Sequence, residues 1–228
     1  GPALEHMEVI VESWALGRLN ADPQVGAAAL CELWSTALDA DTLDFAHVAS
    51  FRAHERSEVL ARAFEAFLST HRSLSDMELR ETVRSAIEHL APERLLGCAA
   101  AALADDALDS SARRTWTAIA FALDPQTYRA SFVDAHHAQT FLTRRPDDML
   151  TWALDTLVPI DTRGRVERDV TLVRLVGSLP PEYVDESTEL LDLIDDALLS
   201  LINNPSLAAR DARAVMEAVL DSPDRGRR

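Results

Sequence analysis

The sequence predicts an essentially all-α protein built of antiparallel helical hairpins. Three observations lead there: apolar residues recur at helical spacing almost throughout, glycine is scarce at 7 in 228 residues, and proline recurs at helix ends. Apolar residues make up 47% of the chain, enough for an ordinary folded core. No stretch alternates with period two for long enough to read as a strand. So few glycines also disfavour sandwiches, barrels and nucleotide-binding α/β folds, whose turns need them.

In chain order, Gly1–Met7 reads as a protease-cleavage and cloning remnant and is set aside. A vector-derived Met7 would be compatible with a remainder cut from a larger protein. The spacing predicts helices near 8–20, 23–38, 43–53, 55–70, 75–90, 92–104, 110–123, 125–142, 147–157, 165–178, 183–202 and 205–220. Leu79, Val83, Ile87 and Leu90 form one apolar stripe, with Glu81, Arg84 and Glu88 on its flanks. Others run through Leu60, Phe64, Phe67 and Leu68, through Trp116, Ile119, Ala120 and Leu123, and through Met149, Trp152, Ala153 and Leu157. Leu190, Ile194, Ala197, Leu198 and Leu201 mark a late helix, and Leu207, Ala212, Val215, Met216 and Val219 a final one. Ser73 or Ser75, Asp109 or Ser110, and Asp147 with Asp148 supply the short polar or acidic residues that helix N-termini favour. The four tryptophans, Trp14, Trp34, Trp116 and Trp152, lie on apolar stripes and are expected in the core.

The most informative feature is a recurrent Leu-x-Pro at helix ends: Leu90-Ala91-Pro92, Leu123-Asp124-Pro125, Leu157-Val158-Pro159 and Leu179-Pro180-Pro181. Successive intervals are 33, 34 and 22 residues. Arg80 and Arg113, and Thr82 and Thr115, match in the same register as the first pair. Proline fixes φ and lacks an N–H, so it stops one helix and suits the first turn of the next. A unit of about 30–45 residues holding two antiparallel helices is the building block of helical solenoids.

These features, with Trp14-Ala15-Leu16-Gly17-Arg18-Leu19 followed by Asp22-Pro23, resemble HEAT-type repeats. The resemblance covers about residues 8–160 and implies a stacked α-solenoid of about 10–12 helices, with 161–228 as a C-terminal helical capping bundle. Leu103 to Tyr128 is also similar to the helical arrays that follow the NTPase module in bacterial STAND/NACHT-type proteins. That likeness implies a sensor or autoinhibitory surface. The departures are that no NTPase motif is present and that the repeat spacing breaks after Pro159.

All 22 basic residues are arginine, against 38 acidic ones, for a net charge of −16. The absence of lysine excludes a Walker-type phosphate loop and Schiff-base chemistry on this chain. The negative charge argues against duplex nucleic acid and anionic lipid, and favours a protein partner, especially a basic one. Cys31 and Cys98, within apolar helical stretches, are expected as buried thiols of a reducing cytoplasm. The Ala, Leu, Asp and Arg bias suggests a GC-rich bacterial source. With no signal peptide or apolar run near 20 residues, the expected location is cytoplasmic.

Neither a cofactor nor a metal is expected. Asp44 and His47 at i, i+3 lack the further ligands a metal bundle needs, and adjacent His136 and His137, beside Asp134, diverge on a helix. The acidic groups Asp39/Asp41/Asp44, Asp105/Asp106/Asp109 and Asp192/Asp195/Asp196 lack the glycine and glutamate of a calcium loop. Candidate partner-binding residues are Asp105, Asp106 and Asp109, as an acidic docking surface, and Arg163, Arg165 and Arg168, as an anion-holding group beside Gly164; Arg174 belongs to the same basic stretch. The expected function is a non-enzymatic protein-recognition module, a recognition or regulatory part of a larger bacterial assembly in defence or signalling. The alternatives are a stand-alone acidic inhibitor, such as an immunity protein against a basic toxin, and a helical-bundle enzyme or ligand carrier.

Overall fold

The computed structural model describes residues 22–45, 57–137, 146–158, 162–185 and 187–203. Among these, ten α-helices and no strand are present: α1 Pro23–Asp39, α2 Ser57–Thr70, α3 Asp76–Ala86, α4 Pro92–Leu103, α5 Ser110–Leu123, α6 Pro125–His137, α7 Pro146–Leu157, α8 Thr162–Gly177, α9 Pro181–Asp185 and α10 Thr188–Ile202. The all-α expectation holds for the described residues. The helices expected near 8–20 and 205–220 lie outside them, as does most of the one expected near 43–53, whose described part, 43–45, is not helical.

Proline opens α1, α4, α6, α7 and α9, the position where its missing N–H has no intrahelical partner to lose. Side-chain caps complete several of these starts. Asp22 accepts from the N–H groups of Gln24 (3.0 Å) and Val25 (3.4 Å). Ser75, rather than Ser73, caps α3 in a reciprocal box: Ser75 N–H donates to Glu78 at 2.8 Å, and Glu78 N–H donates to the Ser75 hydroxyl at 3.4 Å. Asp109 accepts from Ser111 and Ala112, both at 2.9 Å, and so caps α5. Asp124 accepts from Thr127 N–H at 3.2 Å, and its bonds to Thr127 hold its carboxyl below the usual range.

Among the boundaries that differ from expectation, two have a local cause in the backbone. The segment 75–90 leaves the α-helix at Ala86, because its last turn tightens: His89 N–H reaches Ala86 C=O at 2.9 Å before the extended Ala91 that Pro92 requires. The segment 183–202 is two helices, since Ser187 is extended (φ −109°, ψ 99°) and starts α10 by accepting from Leu190 N–H at 3.3 Å. Asp41, one of the acidic group Asp39/Asp41/Asp44, is exposed and also turns the chain at the end of α1. At φ 54° it lets Thr42 N–H reach Ala37 C=O at 2.8 Å and its own N–H reach Leu38 C=O at 3.0 Å.

The chain divides into two compact units at Ala112/Arg113, within α5. In the first, α2 is the central element and packs on α1, α3 and α4. Its Val59, Leu60, Ala61, Ala63, Phe64, Phe67 and Leu68 are all buried, so apolar contact surrounds most of the helix. Trp34 of α1 meets the Phe64 ring at 4.7 Å and Phe45 at 5.1 Å, the latter edge-on. In the second unit α10 packs on α7, α8 and α9, and α8 packs on α7. Leu190, Ile194, Ala197 and Leu201 form the buried face of α10, and Leu172, Val173, Leu175 and Val176 are buried on α8. Trp116 of α5 is fully buried and Trp152 of α7 is buried; Trp14 lies outside the described residues.

Truncation of the ring at the centre of the first unit tests this arrangement. Phe64→Ala is expected to lower unfolding free energy by about 3–5 kcal/mol, read from urea unfolding followed by circular dichroism. A loss below about 1 kcal/mol would show that α2 is not enclosed in this way.

Candidate interaction groove

Glu58, Arg62 and Glu65 lie on one face of α2 at i, i+4 and i+7. Arg94, in the first turn of α4, reaches across to them. Its guanidinium makes a two-pronged contact with Glu65 (Nε–Oε1 3.0 Å, NH2–Oε2 2.5 Å) and a third bond to Glu58 Oε2 at 2.8 Å. Arg62 pairs with the other Glu58 oxygen at 2.8 Å and donates to the Gln24 side chain of α1 at 3.1 Å. One chain of five side chains thus ties the N-terminal end of α1 to α2 and α4. Hydrogen bonds, first from Arg62 and then from Arg94, hold the Glu58 carboxyl below its usual range.

These residues line an open groove of about 760 Å³, with Ala66, Ser69, Glu93, Gly97 and Cys98 completing its walls. Gly97 sits mid-helix and exposed, and a methyl group added there would meet nothing within 4 Å. No internal contact requires glycine at this point, although glycine weakens a helix. Cys98 is buried, and desolvation first, then the nearby Glu65 charge, pushes its thiol up to about 11. That thiol is not poised as a nucleophile.

A second, polar cleft of about 500 Å³ lies at the C-terminal end of α2, lined in part by His71, Arg72, Glu78 and Asp105. Arg72 is engaged there with Asp105 at 3.1 Å and with the Ser69 carbonyl at 2.9 Å. His71 lies tilted against Phe67, ring centroids 4.6 Å apart, and contacts the Ser35 hydroxyl through Nε2 at 2.7 Å. Ser35 donates its own proton to the Cys31 carbonyl at 2.7 Å, so in that arrangement the imidazole is the donor and the hydroxyl is not activated for attack.

Of the residues singled out from the sequence, Asp105, Asp106 and Asp109 belong to the first unit and Arg163, Arg165 and Arg168 to the second. Asp105 is tied to Arg72 and also accepts from Ala107 N–H at 3.0 Å, Asp106 is exposed, and Asp109 is occupied as a helix cap. Arg168 pairs with Asp155 at 2.7 Å and with buried Asp169 at 3.4 Å. It neutralises the chain's own carboxylates there. Arg163 and Arg165 fall in the first turn of α8, and their side chains lie outside the described residues, as do His47 and the side chains of His136 and His137. Among the described residues no group of three His, Cys, Asp or Glu could hold a metal, and no helix is long and apolar enough to cross a membrane.

The groove residues were missed from the sequence because Arg94 meets its partners only through packing of α4 on α2. The one local signal was the Glu58-x-x-x-Arg62 pair, a spacing common on any exposed helix. No protein family, curated protein or solved structure matches the chain.

Two measurements check this geometry. Gly97→Ala is expected to stabilise the protein by about 0.5–1 kcal/mol, through helix propensity alone. Cys98 binds its proton more tightly folded than unfolded, so its contribution to stability is complete below the unfolded thiol value near 8.5 and is lost as pH rises through about 11. Cys98→Ala should therefore flatten the fall in melting temperature above about pH 8.5; an unchanged slope would place the thiol in water.

Proposed function

We propose that the chain is a helical-repeat recognition module that binds a protein partner through the α2–α4 groove and performs no chemistry of its own. The observation behind this is the open strip of α4 at Gly97, edged by arginines and glutamates already held in place. Side chains ordered before binding lose little further entropy when a partner arrives, and bare helix backbone permits close approach.

The repeat reading draws support from burial. Leu79, Thr82, Val83 and Ala86 of α3 are buried, and so are Ala112, Thr115, Trp116 and Ile119 of α5, each 33 positions later. Within the first unit, Leu60, Ala63, Phe64 and Phe67 of α2 are matched by Leu95, Cys98, Ala99 and Ala102 of α4, each 35 positions later. Alternate helices with matching buried faces, punctuated by proline, are what stacked hairpins require. Such modules serve as recognition or regulatory parts of larger assemblies, and a bacterial one suits the composition.

Photo-cross-linking in source cells tests the reading. A benzophenone side chain at Glu93 or Gly97 should give an adduct of one common mass, and the same group at Glu81 on α3 should give none. Adducts of equal yield from all three positions, or none from 93 and 97, would sink the groove as the binding site.

A further inference from the structure

The outward face of α10 carries a feature the groove does not explain. Leu190, Ile194, Ala197 and Leu201 point into the second unit and are buried. At 100° per residue, Asp192, Asp195, Asp196, Leu199 and Ile202 all fall on the opposite side, within an arc of about 120° and over about 15 Å of helix. Leu199 is 57% exposed and Ile202 is 77% exposed, one turn apart. Among the described residues the other exposed large apolar side chains, Val25 and Met77, are single residues in the first turns of two different helices. Isolated exposure of that kind is ordinary; an adjacent pair continued by a row of charge is less so.

The three aspartates are exposed, and among the described residues no cation pairs with them. Asp192 repels Asp195 and Asp196 at i+3 and i+4, and aspartate is a poor residue for a helix interior. The helix therefore bears two unfavourable features side by side, an uncovered apolar pair and an unneutralised acidic row. One occupant relieves both.

We infer that this face is a second docking surface, which takes an amphipathic helix carrying arginine or lysine beside its apolar residues. A helix presents apolar anchors at i, i+3 or i+4, which match Leu199 and Ile202, and places cations one or two turns further along, opposite the aspartates. Anionic lipid and nucleic acid are repelled by the same carboxylates. A second copy of α10 fits poorly: paired in parallel it sets aspartate against aspartate, and antiparallel it sets apolar residues against aspartates, so neither neutralises the row. This surface lies in the second unit, and its test is independent of the groove.

The probe is a fluorescein-labelled helical peptide of leucine, alanine and arginine, with arginines one to two turns from a leucine pair, and a counterpart bearing glutamate for each arginine. Binding to the full chain is read by fluorescence anisotropy at low salt. The arginine peptide should bind and the glutamate peptide should not. The double variant Leu199→Ser with Ile202→Ser should weaken binding about tenfold or more with charge unchanged. The triple variant Asp192→Asn, Asp195→Asn and Asp196→Asn should do the same with the apolar pair intact, whereas Asp39→Asn, Asp41→Asn and Asp134→Asn, an equal charge change elsewhere, should alter affinity by no more than about twofold. Equal weakening by the two triple variants, or full binding by the serine double variant, means adsorption to bulk negative charge and overturns the inference. So does a dimer in sedimentation that the serine variant dissolves, which would make a second copy the occupant. A rise in affinity of tenfold or more on removal of 204–228 would assign the face to the chain's own tail and overturn it too. Throughout, circular dichroism must show that each variant keeps its helix content. Any of these failures would leave the cross-links from position 97 unaffected.

Discussion

The enclosure of α2 is the constraint on which the first unit depends. A helix buried on most of its circumference cannot lie on a surface, so other helices must cover it from several sides. Phe64 and Phe67 make this binding, because leaving two such rings in water would forfeit several kcal/mol that burial supplies. Trp34 and Phe45 close on them from one side, and α3 and α4 from the others. Once α4 is drawn onto α2, Arg94 has no choice but to lie against Glu58 and Glu65. The groove is thus a by-product of core packing, with its polar wall set by the same contact that buries Leu95 and Ala99.

Charge is distributed by a related logic. With 22 arginines for 38 acidic residues, cations are scarce, and several of them neutralise the chain's own carboxylates near packed helices. Arg94, Arg72 and Arg168 all serve this way, each bonded to an aspartate or glutamate from another element. Acidic residues then remain in excess on outward faces. Some of them do local work, as Asp22, Asp109 and Asp124 do at helix starts, where they accept from free N–H groups. Asp192, Asp195 and Asp196 of α10 cap no helix start, and they stand beside exposed leucine and isoleucine.

Much of the helical framework was legible without coordinates. The start of α4 at Pro92 and of α6 at Pro125, the extent of α5, and the burial of Trp34, Trp116 and Trp152 all follow from local rules. The reason is that helix punctuation is set by residues within one turn: a proline, a cap, an apolar stripe. Where local rules competed, reading failed. Ser187, just before the late apolar stripe, splits the segment expected as one helix over 183–202, and the end of α3 is decided by the turn before Pro92 rather than by periodicity.

The candidate site was much less legible. Asp105, Asp109 and Arg168 stood out by clustering along the chain, yet each is engaged by an internal partner whose position no sequence interval reveals. Arg94 and Glu65, 29 positions apart, attract no notice as text and form the tightest polar contact of the groove. By itself the sequence determined the all-α class, the helix boundaries set by proline and capping residues, and the loss of lysine chemistry, because these depend on residue type and near neighbours. Tertiary structure alone decided which charges are spent within the chain and which face outward, because that depends on which helices pack together.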